Sequence, residues 1–176
     1  MPAFDASAPR FWTGNAWGGL PIARLDRVEL LEAVLEHLNA CPAKGPLLLA
    51  TLDALGARRA DTDGRYREAL LSMDIVVPDG MGLVWALNRI ERRKPADYVR
   101  NSGCDFVEAL CLDPRFAGRR VYFLGGRPGV ARAAQTRLLA RGAPVTFAGC
   151  HHGYFDPGSA EHILADLRRR EIEVLF

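Results

Sequence analysis

Apolar residues return at helical spacing through "RLDRVELLEAVLEHLNA" (24–40), where Val28, Leu31, Val34, Leu35 and Leu38 predict a helix with one buried stripe. "CPAKGP" (41–46) breaks that pattern, and "LLLAT" (47–51) then reads as a short buried strand. "DGRYREALLSM" (63–73) is helical, "DIVV" (74–77) is a strand, and "MGLVWALNRI" (81–90) is again helical, with Pro-Asp-Gly between the last two. "SGCDFVEALCLD" (102–113) predicts a helix with Ser102 or Gly103 near its cap. "RRVYFLGG" (119–126) is a strand ending in two glycines. The following "PGVARAAQTRLLARG" (128–142) predicts a helix with Pro128 in its first turn and Gly142 just past its end. A strand "VTFAGC" (145–150), a helix "SAEHILADLRRR" (159–170) and a strand "EIEVLF" (171–176) complete the series.

Strands alternating with helices predict an α/β class: one Rossmann-like parallel sheet flanked by helices, in a single domain over 25–176. Residues 1–24, rich in Gly, Trp, Pro and Asn without periodicity, read as a lead-in. Such folds bind ligands beyond the carboxyl ends of their strands. That directs attention to Thr51 and Asp53, to Pro78–Gly82, to Gly125–Gly129 and to Cys150–Phe155.

Composition narrows the class without naming a ligand. With 49% apolar and 25% charged residues, the 176-residue chain is globular. A formal charge of +2 gives no reason to expect nucleic acid, and the basic runs at 89–95 and 168–170 read as solvated helix faces. Cys41, Cys104, Cys111 and Cys150 form no CxxC pair, the pattern of reduced thiols in a cytoplasmic protein. The N-terminus lacks a signal-peptide pattern, and no apolar run is long enough to span a membrane. The expected location is cytoplasmic, at most peripheral on a membrane surface.

Each candidate motif has a bland rival. "LGGRPG" (124–129) can present backbone N–H groups to phosphate at a helix N-terminus, or can be a tight turn that needs glycine. It matches neither the dinucleotide nor the P-loop spacing, which counts against a nicotinamide enzyme. Asp61-x-Asp63 resembles a metal-binding pair, but before a helix it reads better as N-cap chemistry. Cys150, His151, His152 and Asp156 crowd together, yet adjacent histidines on extended chain point apart, so no metal is expected and a binding loop presenting Gly153 and Tyr154 competes with a plain turn. No nucleophile elbow or zinc-protease motif occurs. Pro78-Asp79-Gly80, by itself, is a turn.

In order, "ATLD", "MDIVVPDGMGLVWAL", "RNSGCDF", "VYFLGGRPGVA" and "FAGCHHGYF" resemble the WecG/TagA/CpsF family of bacterial glycosyltransferases (glycosyltransferase family 26), from about residue 25 to 176. The resemblance implies transfer of a hexose, of the N-acetylmannosamine type or related, from a UDP-sugar to a polyprenyl-diphosphate-linked acceptor at the inner membrane face. It places the chain in surface or exopolysaccharide synthesis. It also implies inversion by an aspartate base without a metal or other cofactor. The family's aspartate falls on Asp79, its strand-end threonine on Thr51, and its glycine-rich turn on Gly125 and Gly126, facing the nucleotide diphosphate. Two departures stand out. The family's T-x-N is Thr51-Leu52-Asp53 here, adding a carboxylate that repels a diphosphate. Members also continue beyond the last strand, so a chain ending at Phe176 is expected to be shortened, and an exposed apolar last strand points to self-association.

The mechanism expected from these residues has Asp79 accepting the proton of the attacking acceptor hydroxyl. Gly80 and Gly82 shape the turn beside it. Backbone N–H groups around Gly125, Gly126 and Gly129 offset charge on the leaving diphosphate. Thr51 and Tyr154 orient sugar hydroxyls, and Arg100 pairs with phosphate. Asp53, Gly103, Asp105 and Gly153 complete the substrate-binding set. The rival from another class is a non-catalytic remnant that binds nucleotide or a partner protein.

Overall fold

The computed structural model describes residues 17–40, 45–90 and 98–176. Residues 1–16 of the expected lead-in, Cys41, and the basic residues 91–95 lie outside the described residues. The chain is α/β, with parallel sheets flanked by helices, and divides into two compact units, 1–106 and 107–176.

In the first unit, helix α1 (Arg27–Asn39) precedes strand β1 (Leu49–Leu52), helices α2 (Ala54–Thr62) and α3 (Gly64–Leu71), strand β2 (Ile75–Pro78) and helix α4 (Met81–Ile90). Helix α5 (Gly103–Leu112) crosses the boundary between the units. β1 and β2 pair in parallel, Leu49 opposite Ile75 through Leu52 opposite Pro78. β2 is buried along its whole length, so its sequence is a continuous apolar run rather than an alternating one. Its other edge is covered by the segment after Trp17, where Ile22 bridges to Val76 and Ala23 N–H donates to the Val76 carbonyl at 2.7 Å. Leu20 and Ile22 are fully buried in the cluster formed by Leu52, Val76, Leu83, Leu87 and Tyr98. Leu20, Ile22 and Ala23 of the lead-in are therefore core.

Two sequence expectations change here. In α1 the buried face is Leu30, Leu31 and Ala33, while Val28 is 57% exposed. Val28 belongs to the first turn, where the Asp26 carboxylate accepts its N–H and that of Glu29 and the Glu29 side chain accepts the Asp26 N–H. This capping box sets where the helix begins and which side of the first turn faces water. The second change is α2, which fills what reads as a loop after β1. Asp53 and Asp63 cap α2 and α3 by accepting N–H from Gly56 and Tyr66, and Asp63 is the cap that the sequence predicts.

The second unit orders its strands β4-β3-β5, all parallel, with β3 (Arg120–Leu124) between β4 (Thr146–His151) and β5 (Val174–Leu175). Helices α6 (Val130–Ala140) and α7 (Ala160–Arg169) make the crossovers. Among the described residues the strands form two hydrogen-bonded sheets, both parallel and flanked by helices as the alternating pattern predicts. The β3–β4 register slips between Val121 and Tyr122, leaving Ala148 as an extra residue. Arg170 donates to the Ala148 carbonyl and Gln135 to that of Gly149, which keeps the irregular backbone satisfied. Gly149 is required there, because a Cβ would lie 2.7 Å from the Tyr122 ring. α6 begins at Val130, after Gly129 in the left-handed region, so Pro128 precedes the helix rather than lying in its first turn.

Two measurements test this packing. Leu30→Ala should cost about 2–5 kcal/mol in urea denaturation and Val28→Ala less than about 0.5 kcal/mol; equal costs would mean the α1 face is misassigned. Burial pushes the Cys111 thiol up to about 12, whereas in the unfolded chain it titrates near 8.5. Above that value the unfolded state sheds a proton that the folded state keeps, so stability falls as pH rises from about 9 to 12. Urea denaturation should show the wild type losing roughly 2 kcal/mol more than Cys111→Ala between pH 8.5 and 10. Parallel pH curves would contradict the burial.

Candidate active site

At the carboxyl end of β2 the backbone of Asp79 is held from both sides. Its N–H donates to the Leu52 carbonyl at 2.7 Å, extending the β1–β2 ladder one step past Pro78. The Pro78 carbonyl accepts the Asn101 N–H at 2.8 Å. Gly80, at φ 85, then turns the chain into α4, a left-handed conformation that a Cβ would penalise. Gly82 lies in the first turn of α4 with open space about it.

The Asp79 carboxylate, about one-third exposed, points at the start of α5. Its Oδ2 accepts the Gly103 N–H at a long 3.4 Å, and its Oδ1 lies 3.8 Å from the Arg100 guanidinium, whose Nη1 is 3.6 Å from Asp105. These are loose ion pairs on partly exposed side chains, able to open for another anion or hydroxyl. Gly103 also backs onto Thr51, since a Cβ there would lie 3.4 Å from the Thr51 hydroxyl oxygen. The structure therefore gathers Thr51, Asp79, Arg100, Gly103 and Asp105. Asp53 ends β1 nearby, and its Oδ1 accepts the Gly56 N–H at 2.7 Å as the cap of α2.

Sequence reasoning missed Asn101. This side chain is 3% exposed and its amide donates to the Leu25 carbonyl at 2.7 Å, tying the approach to α1 to the loop that carries Arg100. A polar residue in an ordinary loop gives no periodic signal, and only its burial marks it.

In the second unit the turn after β3 and the loop after β4 interlock. Gly125 N–H donates to the His151 carbonyl at 3.0 Å, and Gly153 N–H to the Gly126 carbonyl at 2.9 Å. A Cβ on Gly153 would come within 3.2 Å of the Gly125 Cα, so close backbone approach requires glycine. Gly125, Gly126 and Gly129 all have positive φ. Tyr154 projects outward, 71% exposed. Beside this turn an open cavity of about 180 Å³ is lined by Arg127, Gly129, Arg132, Cys150, His151 and His152 among others. His151 and His152 stack at 4.4 Å, and no metal-competent cluster of three ligands occurs among the described residues. No helix among them is long and apolar enough to cross a membrane.

Polar residues gathered beyond the carboxyl ends of parallel strands mark the ligand-binding end of an α/β protein. The family model described as "Glycosyl transferase WecG/TagA/CpsF family" matches residues 16–176, and the chain belongs to that family. Its match includes the segment with buried Leu20 and Ile22, ahead of the boundary expected near residue 25. Membership makes this a glycosyltransferase-family protein, with a sugar donor and an acceptor as its substrates.

Asn101→Leu should lower stability by about 1–3 kcal/mol in urea denaturation, because the part-buried Leu25 carbonyl loses its donor. A neutral effect would show that this carbonyl finds another partner.

Proposed function

We propose that the protein transfers a hexose, of the N-acetylmannosamine type or related, from a UDP-sugar to a polyprenyl-diphosphate-linked acceptor at the cytoplasmic face of a membrane. The product serves surface or exopolysaccharide synthesis. The observation that carries this reading is the setting of Asp79. Its backbone is clamped between the Leu52 carbonyl and the Pro78–Asn101 hydrogen bond, while its carboxylate is only loosely engaged by Gly103 and Arg100. A base must be fixed in direction yet free to receive a proton, and this arrangement meets both needs.

In the proposed reaction the acceptor hydroxyl gives its proton to Asp79 as its oxygen attacks the anomeric carbon of the donor. The bond from that carbon to the UDP oxygen breaks on the opposite side, which inverts the centre. Arg100 shifts from Asp79 and Asp105 toward substrate phosphate, where its planar fork offers two donors. Thr51 orients a sugar hydroxyl. In the second unit the turn with Gly125, Gly126 and Gly129 and the loop with Gly153 and Tyr154 are assigned to the donor, with backbone N–H groups offsetting charge on departing UDP.

The test is a transfer assay with UDP-sugars and a lipid-diphosphate acceptor. Asp79→Asn should lower turnover by roughly 10²–10⁴-fold, the usual worth of a general base, without lowering the melting temperature. Turnover near the wild-type rate in that variant would remove Asp79 as the base.

A further inference from the structure

Three large apolar side chains stand in solvent at the carboxyl end of the β1–β2 pair. Leu55, in the first turn of α2, is 78% exposed; Met81, which opens α4, is 65% exposed; Trp85, one turn along the same face, is 69% exposed. Their place follows from the fold. α2 and α4 begin just beyond Leu52 and Pro78, which are paired neighbours in the sheet, and the two helices touch. Ala57 and Ala60 from α2 and Leu83, Val84 and Leu87 from α4 enter one core cluster, which is built without Leu55, Met81 or Trp85. A single exposed leucine needs no explanation, but a tryptophan and two further large apolar groups at one end of a sheet do.

The charges beside them indicate what covers them. Arg58 follows Leu55 by three residues and Arg89 follows Trp85 by four, so each arginine shares the exposed face of its apolar neighbour. Both arginines are exposed, and neither has a carboxylate partner among the described residues. The acids nearby are engaged: Asp53 caps α2, Asp61 accepts the Trp17 indole N–H, and Asp79 faces Arg100. Tryptophan and aliphatic groups interleaved with unpaired arginines suit the headgroup layer of an anionic membrane, where apolar groups enter the acyl boundary and guanidiniums meet lipid phosphates. With most of its surface in water, each apolar side chain projects outward, which fits a bilayer better than one enclosed hydrocarbon chain.

We propose that Leu55, Met81 and Trp85, with Arg58 and Arg89, form a docking surface for an anionic phospholipid bilayer. This rests on the transferase reading only for its purpose. Docking through α2 and α4 turns the Asp79 end of the β1–β2 pair toward the lipid, so that a lipid-linked acceptor reaches the base without leaving its membrane.

Sedimentation of the intact chain with vesicles of phosphatidylcholine, alone or mixed with phosphatidylglycerol, tests this. Wild type is compared with Leu55→Ser/Trp85→Ser and with Arg58→Gln/Arg89→Gln. All four side chains are exposed, so both variants should keep their circular dichroism and melting temperature. The wild type should bind the mixed vesicles and each double variant about ten-fold more weakly, and added salt should weaken the wild-type binding. Trp85→Phe should keep most of the binding yet lose the blue shift of tryptophan emission that vesicles cause. Binding that is absent, or equal in wild type and Leu55→Ser/Trp85→Ser, overturns the surface. So does a wild-type dimer in analytical ultracentrifugation that this variant disperses and vesicles do not. Transfer to a vesicle-borne acceptor should fall in Leu55→Ser/Trp85→Ser while transfer to a water-soluble diphosphate-linked acceptor is unchanged. Vesicle binding without transfer to either acceptor keeps the surface and removes the transferase reading; transfer without vesicle binding does the reverse.

Discussion

The candidate catalytic region depends on one hydrogen bond, from Asp79 N–H to the Leu52 carbonyl. Proline has no N–H to give to a ladder, so Pro78 is tolerated only where a strand is ending. The ladder nevertheless continues for one more step through Asp79, and this keeps the aspartate in line with β1. On the opposite edge the Pro78 carbonyl takes the Asn101 N–H. Two sheet-type bonds, one on each side, thus fix the dipeptide Pro78-Asp79 before Gly80 lets the chain turn away. The same bonds bring the start of α5, and with it Arg100, Gly103 and Asp105, to the carboxylate.

The elements legible in the sequence were those with a strong period or strong punctuation. β2, α4, α5, β3 and α7 lie within a residue or two of their expected bounds, because Pro-Asp-Gly, Gly-Gly and the helical stripes mark them sharply. Helix α2 was hidden because "ALGARRADT" is short, has a glycine in its first turn and buries only Ala57 and Ala60. Two alanines make too faint a stripe to read. Val28 was misplaced for a related reason: periodicity gives the spacing of a buried face but not its phase in the first turn, which the Asp26–Glu29 capping box decides. The segment around Leu20 and Ile22 carries no period at all, and its burial comes from lying against the otherwise open edge of β2. Such contacts are tertiary and leave no local mark.

Legibility of the site followed the same division. Glycines were visible because each answers a backbone demand: positive φ at Gly80, Gly125, Gly126 and Gly129, and close approach at Gly153. A glycine in a turn says that something is tight without saying what approaches. Asn101 lies inside the "RNSGCDF" segment, yet nothing local singles it out there. What distinguishes it is its burial, visible only once the chain is folded. Five of the ten arginines of the second unit face an acidic partner, and Arg170 among them also helps hold the sheet. Arg170 shows this: it pairs with Asp166 while satisfying the bulged Ala148 carbonyl.

Asp53 shows why a departure from a family pattern must be weighed against local structure. Viewed as an extra carboxylate near substrate, it is a source of repulsion. In the fold it ends β1 with an extended backbone and accepts the Gly56 N–H, opening α2. Asparagine and aspartate are nearly equal as N-caps, so either starts this helix. The first turn of α2 is packed closely enough to need that start to be exact in direction, for a Cβ on Gly56 would meet the Tyr66 hydroxyl at 2.8 Å and Leu52 at 2.9 Å. Asp53 is exposed to solvent, where its charge is screened over about 8–10 Å at ordinary ionic strength. Asp53 thus serves the fold as the capping residue of α2. Asp79 differs in kind: its backbone is fixed on both flanks, and its carboxylate has no strong partner of its own.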